Sequence, residues 1–156
     1  MKKFIALVVM LCAVLVSSTA SAAADWVWVC SNEYFTIYAD NNSIRRDYNH
    51  GGYVFCAFTK EIYSEEGRTT AIESYRSKGK TVPQWLYNMS YLIKLQYFKE
   101  ENGFKYFGFL FVVLYDHDGN VIDSSENSYS EIKWSMIPPG SMLEKEFDVI
   151  RARVPN

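Results

Sequence analysis

Few residues in this 156-residue chain are equipped for chemistry: three cysteines, two histidines and several close-set carboxylates. Cys12 lies inside an apolar leader, which leaves Cys30 and Cys56 as the pair with the plainest use. In an exported protein an even pair is expected to form a disulfide. The closed loop of about 26 residues would contribute roughly 3–4 kcal/mol in the chain-entropy view. The alternative is two buried free thiols in neighbouring strands. No His or third Cys falls at a ligand-like spacing from them, so a metal pair is not expected.

The remaining candidates point away from catalysis. His50 and His117 sit in turn-forming stretches, where a solvated side chain is the ordinary outcome. Asp116-x-Asp118-Gly119-Asn120 resembles the start of a calcium loop. The EF-hand pattern, however, wants Gly sixth and Glu twelfth, and here Gly is fourth and Asn127 is twelfth. Glu65-Glu66 and Glu100-Glu101 lie in polar turns, without the apolar setting that raises a carboxyl pKa for acid–base work. No Ser occupies a nucleophile elbow. Gly51-Gly52 precedes a strand rather than opening a helix, so it is no phosphate loop. Asn41-x-Ser43 and Asn88-x-Ser90 match the glycosylation pattern, which is common by chance. Arg45-Arg46 beside Tyr48 and His50 reads as surface, or as a contact for an acidic partner. No catalytic residue, metal ligand or cofactor is assigned, no binding residue is named, and the expectation is a protein that is not an enzyme.

The compartment follows from the first residues. Met1-Lys2-Lys3 is a positive start, Phe4 to Val16 is an apolar run, and Ala20-Ser21-Ala22 offers small residues for cleavage. This is the grammar of a secretory signal peptide over residues 1–22, cleaved near Ala22. The run is short of the roughly 20 residues a membrane span needs. Leu11 precedes Cys12 and the apolar run continues beyond it, so no lipobox is formed. Residues 23–156 then make one domain, with no second hydrophobic stretch of spanning length. Of 16 Lys and Arg, two lie in the leader; the 14 left face 18 Asp and Glu, a net charge of −4. That balance disfavours a nucleic-acid binder and adhesion to anionic membranes. Aromatics at 17% suit rings paired across strands, and also an interaction surface.

The elements that must hold these residues are mostly strands. Trp26–Cys30 and Tyr34–Ala39 are two short β runs, broken by Asp40-Asn41-Asn42-Ser43. Tyr53–Tyr63 is a third strand, whose set Val54, Cys56, Phe58, Lys60 and Ile62 is the more apolar and is expected inward. Thr70-Ala71-Ile72-Glu73 has capping-box form, predicting a short mid-chain helix from Ala71 to about Lys78, stopped by Gly79. Tyr91–Phe98 alternates with period two, and Asn102-Gly103 predicts a hairpin into Phe104–Tyr115. Val121–Ser125 begins a more polar last strand. After Pro138-Pro139-Gly140, Ser141 and Glu144 form a second capping box. Leu143, Phe147, Ile150 and Val154 then make one apolar stripe. The sum is an α+β domain: an antiparallel sheet of about six strands with a C-terminal helix packed on it.

Taken together, Trp26-Val27-Trp28-Val29, Tyr38-Ala39-Asp40 with Ser43-Ile44-Arg45-Arg46, and the strand around Val54 resemble the surface-adhesin protein E-like family of bacteria. The second half adds Tyr115-Asp116, Gly119-Asn120-Val121-Ile122, Trp134 and Ile137-Pro138-Pro139-Gly140-Ser141. The resemblance implies a six-stranded antiparallel sheet with the C-terminal helix on its concave face. It also implies a non-catalytic exported binding domain. The best-known member is an adhesin of a Gram-negative pathogen that engages host proteins such as laminin and vitronectin. Two features depart from that member, which is a lipoprotein and ties its terminal helix to the sheet with a disulfide. This signal has no lipobox, and no Cys follows Cys56. The leading expectation is an adhesin-like domain for a protein partner. The alternative is a periplasmic or envelope-associated structural protein that binds a bacterial partner. A small-ligand pocket between helix and sheet is a third reading.

Overall fold

The computed structural model describes residues 23–48 and 53–155. The leader, its cleavage position, Cys12, His50 and the Gly51-Gly52 turn lie outside the described residues. Among the described residues eight strands form one sheet: β1 Trp26–Ser31, β2 Phe35–Asp40, β3 Arg45–Asp47, β4 Tyr53–Tyr63, β5 Tyr91–Glu101, β6 Phe104–Tyr115, β7 Val121–Glu126 and β8 Ser135–Met136. Three α-helices accompany them: α1 Glu65–Ser77, α2 Trp85–Asn88 and α3 Met142–Arg151. The class is α+β, as expected, with the sheet antiparallel throughout.

Six strands run in the order β1-β2-β4-β5-β6-β7, and the count exceeds six because β3 pairs with β4 and β8 with β6. These two are continuations. β2 pairs with Thr59–Tyr63 of β4, and β3 takes up the same edge at Val54–Cys56. Between them Asp40 and Ser43 make a one-turn 3-10 helix, in which the Ser43 hydroxyl donates to Asp40 O and accepts from Phe58 N. Runs of three and two residues carry too little alternation to be read as strands.

The β5–β6 hairpin turns on Asn102 and Gly103, whose φ values of 53° and 80° are those a type I′ turn requires. Helix α1 starts six residues before the expected Ala71. Its cap is Ser64, whose hydroxyl accepts from Gly67 N at 2.9 Å. Glu65 and Glu66 occupy its first turn, where the helix dipole favours acids. The Thr70–Glu73 box is interior to the helix. Gly79, at φ 64°, ends it as expected. In α3, Ser141 caps the Glu144 N–H, and the Glu144 carboxylate accepts from Gly140 N and from Lys105.

The ladder registers sort the side chains onto two faces. The helix face carries Phe55, Ala57, Thr59 and Glu61 of β4, opposite Phe98, Gln96, Lys94 and Leu92 of β5. Under α3, Phe147 is fully buried against Phe55 and Phe98, with ring centroids 5.1 and 5.8 Å away. Under α1 and α2 a second cluster gathers Leu86, Met89, Leu92, Val112 and Leu114. The opposite face is closed over part of its length by residues 127–134, where Ile132, Tyr129 and Trp134 cover Cys56, Leu95 and Tyr97. Gly108 permits this cover, because a Cβ there would collide with the Ile132 side chain. Strand β4 is therefore buried on both faces. Its more hydrophilic set, expected outward, faces the helices: Phe55, Ala57 and Thr59 are all fully enclosed.

Candidate binding surface

Beyond the cover of residues 127–134, the same face continues as an open band. Two rows cross the sheet there. One runs Trp28–Tyr38–Lys60–Ile93–Val113, and the next Thr36–Ile62–Tyr91–Tyr115. Each pair in a row is directly opposed across a ladder, so the side chains stand as neighbours about 4.5–5.5 Å apart at Cβ. Tyr91 and Tyr115 stack at 4.8 Å, and the Lys60 ammonium sits 4.2 Å over the Tyr91 ring. None of these residues belongs to a core cluster. They are half-exposed, and Trp28 is 59% exposed. Alternation of β-branched and aromatic residues makes the strands, and on a two-faced sheet the set that no other segment covers is left to solvent.

The disulfide expected between Cys30 and Cys56 is not formed; both thiols are free and buried. Cys30 on β1 lies in the cluster beneath α3, with its thiol 3.8 Å from Met142 O. Cys56 on β4 lies in the cluster on the other face, with β2 between the two strands. Side chains on opposite faces of non-adjacent strands cannot meet the geometry of an S–S bond. Burial holds both thiols protonated: the Cys30 pKa is pushed up to about 11, and that of Cys56 is also raised. Neither is expected to be a reactive thiol. Alkylation of the native protein without reductant should therefore leave both cysteines unmodified, and alkylation in denaturant should modify two. Intact mass spectrometry reads this, and a pair blocked in denaturant until reductant is added would contradict it.

On the helix face a charged cluster occupies the sheet between the two apolar clusters. Lys94 and Glu61 pair at 3.2 Å, both largely buried. Tyr63 is held protonated by burial and by its bond to Glu61. From α3, Glu146 is fully enclosed, and neither of its oxygens nor Gln96 Nε2 finds a hydrogen-bond partner among the described residues. Burial raises the Glu146 pKa to about 7, and the Lys94 charge opposes that rise. Gln96 lies near enough to favour the charged carboxylate, yet hydrogen-bonding geometry is not met. Lys94 is itself held charged by Glu146 and Glu61, against the cost of burial. Enclosure on all sides denies Glu146 contact with any molecule in solution.

The other sequence candidates resolve into structural roles. Asp116 accepts from the N–H groups of Asp118 and Asn120 at 3.0 and 2.8 Å and from Asn120 Nδ2, which holds its pKa down. Its oxygens thus close a turn at Gly119 (φ 83°) rather than opening a cation site. His117 is exposed beside Asp118. Glu100 pairs with Arg151 and Glu101 with Lys99. Arg46 lies over the rings of Tyr53 and Tyr48. Among the described residues no group of three His, Cys, Asp or Glu side chains is placed to hold a metal ion. No helix among them is long and apolar enough to cross a membrane.

The sequence did not single out Lys94, Gln96, Glu61 or Glu146. A signal was present for the last: Glu146 is three residues after Leu143 and four before Ile150, and so lies on the apolar stripe. Comparison with protein-family models, curated proteins and solved structures returns no match for the chain.

Proposed function

We propose that this chain is an exported, non-catalytic, adhesin-like domain that takes a protein partner on the open band of its sheet. The observation that carries the reading is the pair of uncovered rows with Trp28, Tyr38, Tyr91 and Tyr115. Tyr and Trp are enriched in the cores of protein interfaces and charge is depleted there. The band has that composition, with Lys60 its single charge and the Tyr hydroxyls as polar tips. Rigid aromatic anchors of this kind carry a large share of interface energy. The resemblance to the protein E-like family supports the same reading and suggests matrix or serum proteins. The signal peptide without a lipobox favours a second reading, an envelope-associated protein whose partner is bacterial.

The test uses the exported protein, with Trp28→Ala and Tyr91→Ala made separately. Binding to laminin, vitronectin and detergent-solubilised envelope proteins is measured by surface plasmon resonance. Trp28 is exposed, so its substitution should change the melting temperature little, whereas Tyr91→Ala also loses the stack on Tyr115 and is compared at a temperature where its fold is intact. Saturable binding weakened about tenfold or more by either substitution is the expected result. Binding to an envelope protein alone selects the second reading. Absence of saturable binding, or binding indifferent to both substitutions, removes the band as the site.

A further inference from the structure

On the other side of the sheet, a cleft of about 410 Å³ opens between α1, α2 and the β6–β7 edge. That is within the size range of small-molecule sites. Its floor is Leu92, Val112 and Leu114, which the ladder places on the helix face. Tyr75, Trp85 and Met89 stand as walls. The lining is apolar except along β7, where Asp123, Ser124 and Ser125 form the rim. Asp123 opposes Leu114 across the ladder and so shares the face of the cleft. One of its oxygens accepts from Ser124 N at 2.8 Å, and among the described residues no ion pair reaches it.

Asp123 is the single charged residue in the lining of the cleft; Lys78 and Lys80 line a neighbouring cleft that shares Ala71 and Tyr75, and Lys133 one that shares Phe109 and Ser125. Lys94, ladder partner of the floor residue Val112, is the cation nearest in register, and Glu61 already pairs with it. Glu61 also holds the hydroxyl of Tyr63, which lines the cleft. An unpaired carboxylate at the rim repels anions and attracts cations, and the rings of Tyr75 and Trp85 add a weaker attraction for a cation. We propose that this cleft binds a small amphiphilic amine, with its apolar body on Leu92, Val112 and Leu114 and its ammonium at Asp123. The site lies on the face opposite the aromatic band, so it stands or falls apart from the protein-binding reading.

Three probes that share one body separate shape from charge: 4-phenylbutylamine, 4-phenylbutan-1-ol and 4-phenylbutyrate. Each is titrated into the exported protein at low salt, with methyl NMR shifts at Met89 and Leu114 as the readout. The expected order is amine, then alcohol, then carboxylate, with about a fivefold advantage of amine over alcohol, the scale of a partly exposed ion pair. Asp123→Asn, on an exposed edge strand, should erase that advantage and leave alcohol binding intact. Ala71→Phe, which fills the cleft from α1, should abolish binding of all three. If that variant does not fold, Asp123→Asn decides alone. No shift with any probe, carboxylate binding as tight as amine, or an amine advantage that survives Asp123→Asn overturns the proposal.

Discussion

Replacing Glu146 with glutamine is expected to stabilise the protein by about 3 kcal/mol at pH 8 and to change little at pH 4. Burial raises the folded pKa of Glu146 to about 7, from an ordinary value of 4.5. Between those two values the folded state keeps a proton that the unfolded chain has released. Stability is therefore highest below pH 4.5 as far as this group is concerned, falls as pH rises to 7, and is flat beyond. Above pH 7 an ionised carboxylate sits enclosed, with Lys94 as its compensating charge and Glu61 opposing it. Glutamine removes that cost and keeps the shape. Urea denaturation of both proteins from pH 4 to pH 9 measures it. A difference that does not grow between pH 4.5 and 7 would show that Glu146 ionises at its ordinary pKa.

Phe147→Ala should cost about 3–5 kcal/mol, the usual penalty for emptying a buried aromatic site. Its ring is fully enclosed between Phe55 and Phe98, with the Lys105 ammonium 5.1 Å from its centroid. Such a loss is a large fraction of the 5–15 kcal/mol typical of a whole domain. No covalent tether limits the damage, since Cys30 is a free thiol and α3 is held to the sheet by packing and by the Lys105 and Arg151 ion pairs. Leu143→Ala, at a half-buried position on the same helix, should cost less. The midpoint of urea unfolding ranks the two, and a loss below about 1 kcal/mol for Phe147→Ala would mean that α3 contributes little to the cooperative fold.

The two substitutions probe neighbouring positions on one helix with opposite signs. Position 147 is where α3 gains its stability, and position 146 is where it gives some back. The cost at 146 exists because the helix spans the boundary between an apolar part of the sheet and the Lys94–Glu61 pair.

Alternation, turn residues and caps acted locally, and so were legible in the sequence. Asn102-Gly103 demanded a hairpin, Ser141 a helix start, Gly79 a helix stop, and the strands Tyr53–Tyr63 and Phe104–Tyr115 lie where their composition put them. The start of α1 was misplaced because Thr70–Glu73 has the same capping form as a true start. Ser64 was chosen instead by its hydroxyl contacts with the backbone of Glu33 and Tyr34, thirty residues away. The facing of the sheet was decided entirely by tertiary structure. A period of two says that a strand has two faces, but not which face a distant helix will cover. Here α3 chose the set bearing Thr59, Lys94 and Gln96, and residues 127–134 chose part of the other. That choice set Cys30 and Cys56 back to back, buried Glu146, and left the aromatic band and the Asp123 cleft open. Sequence alone determined the α+β class, the long strands and the C-terminal helix. Which surfaces remain free to bind depended on contacts between residues far apart in the chain, which no local pattern encodes.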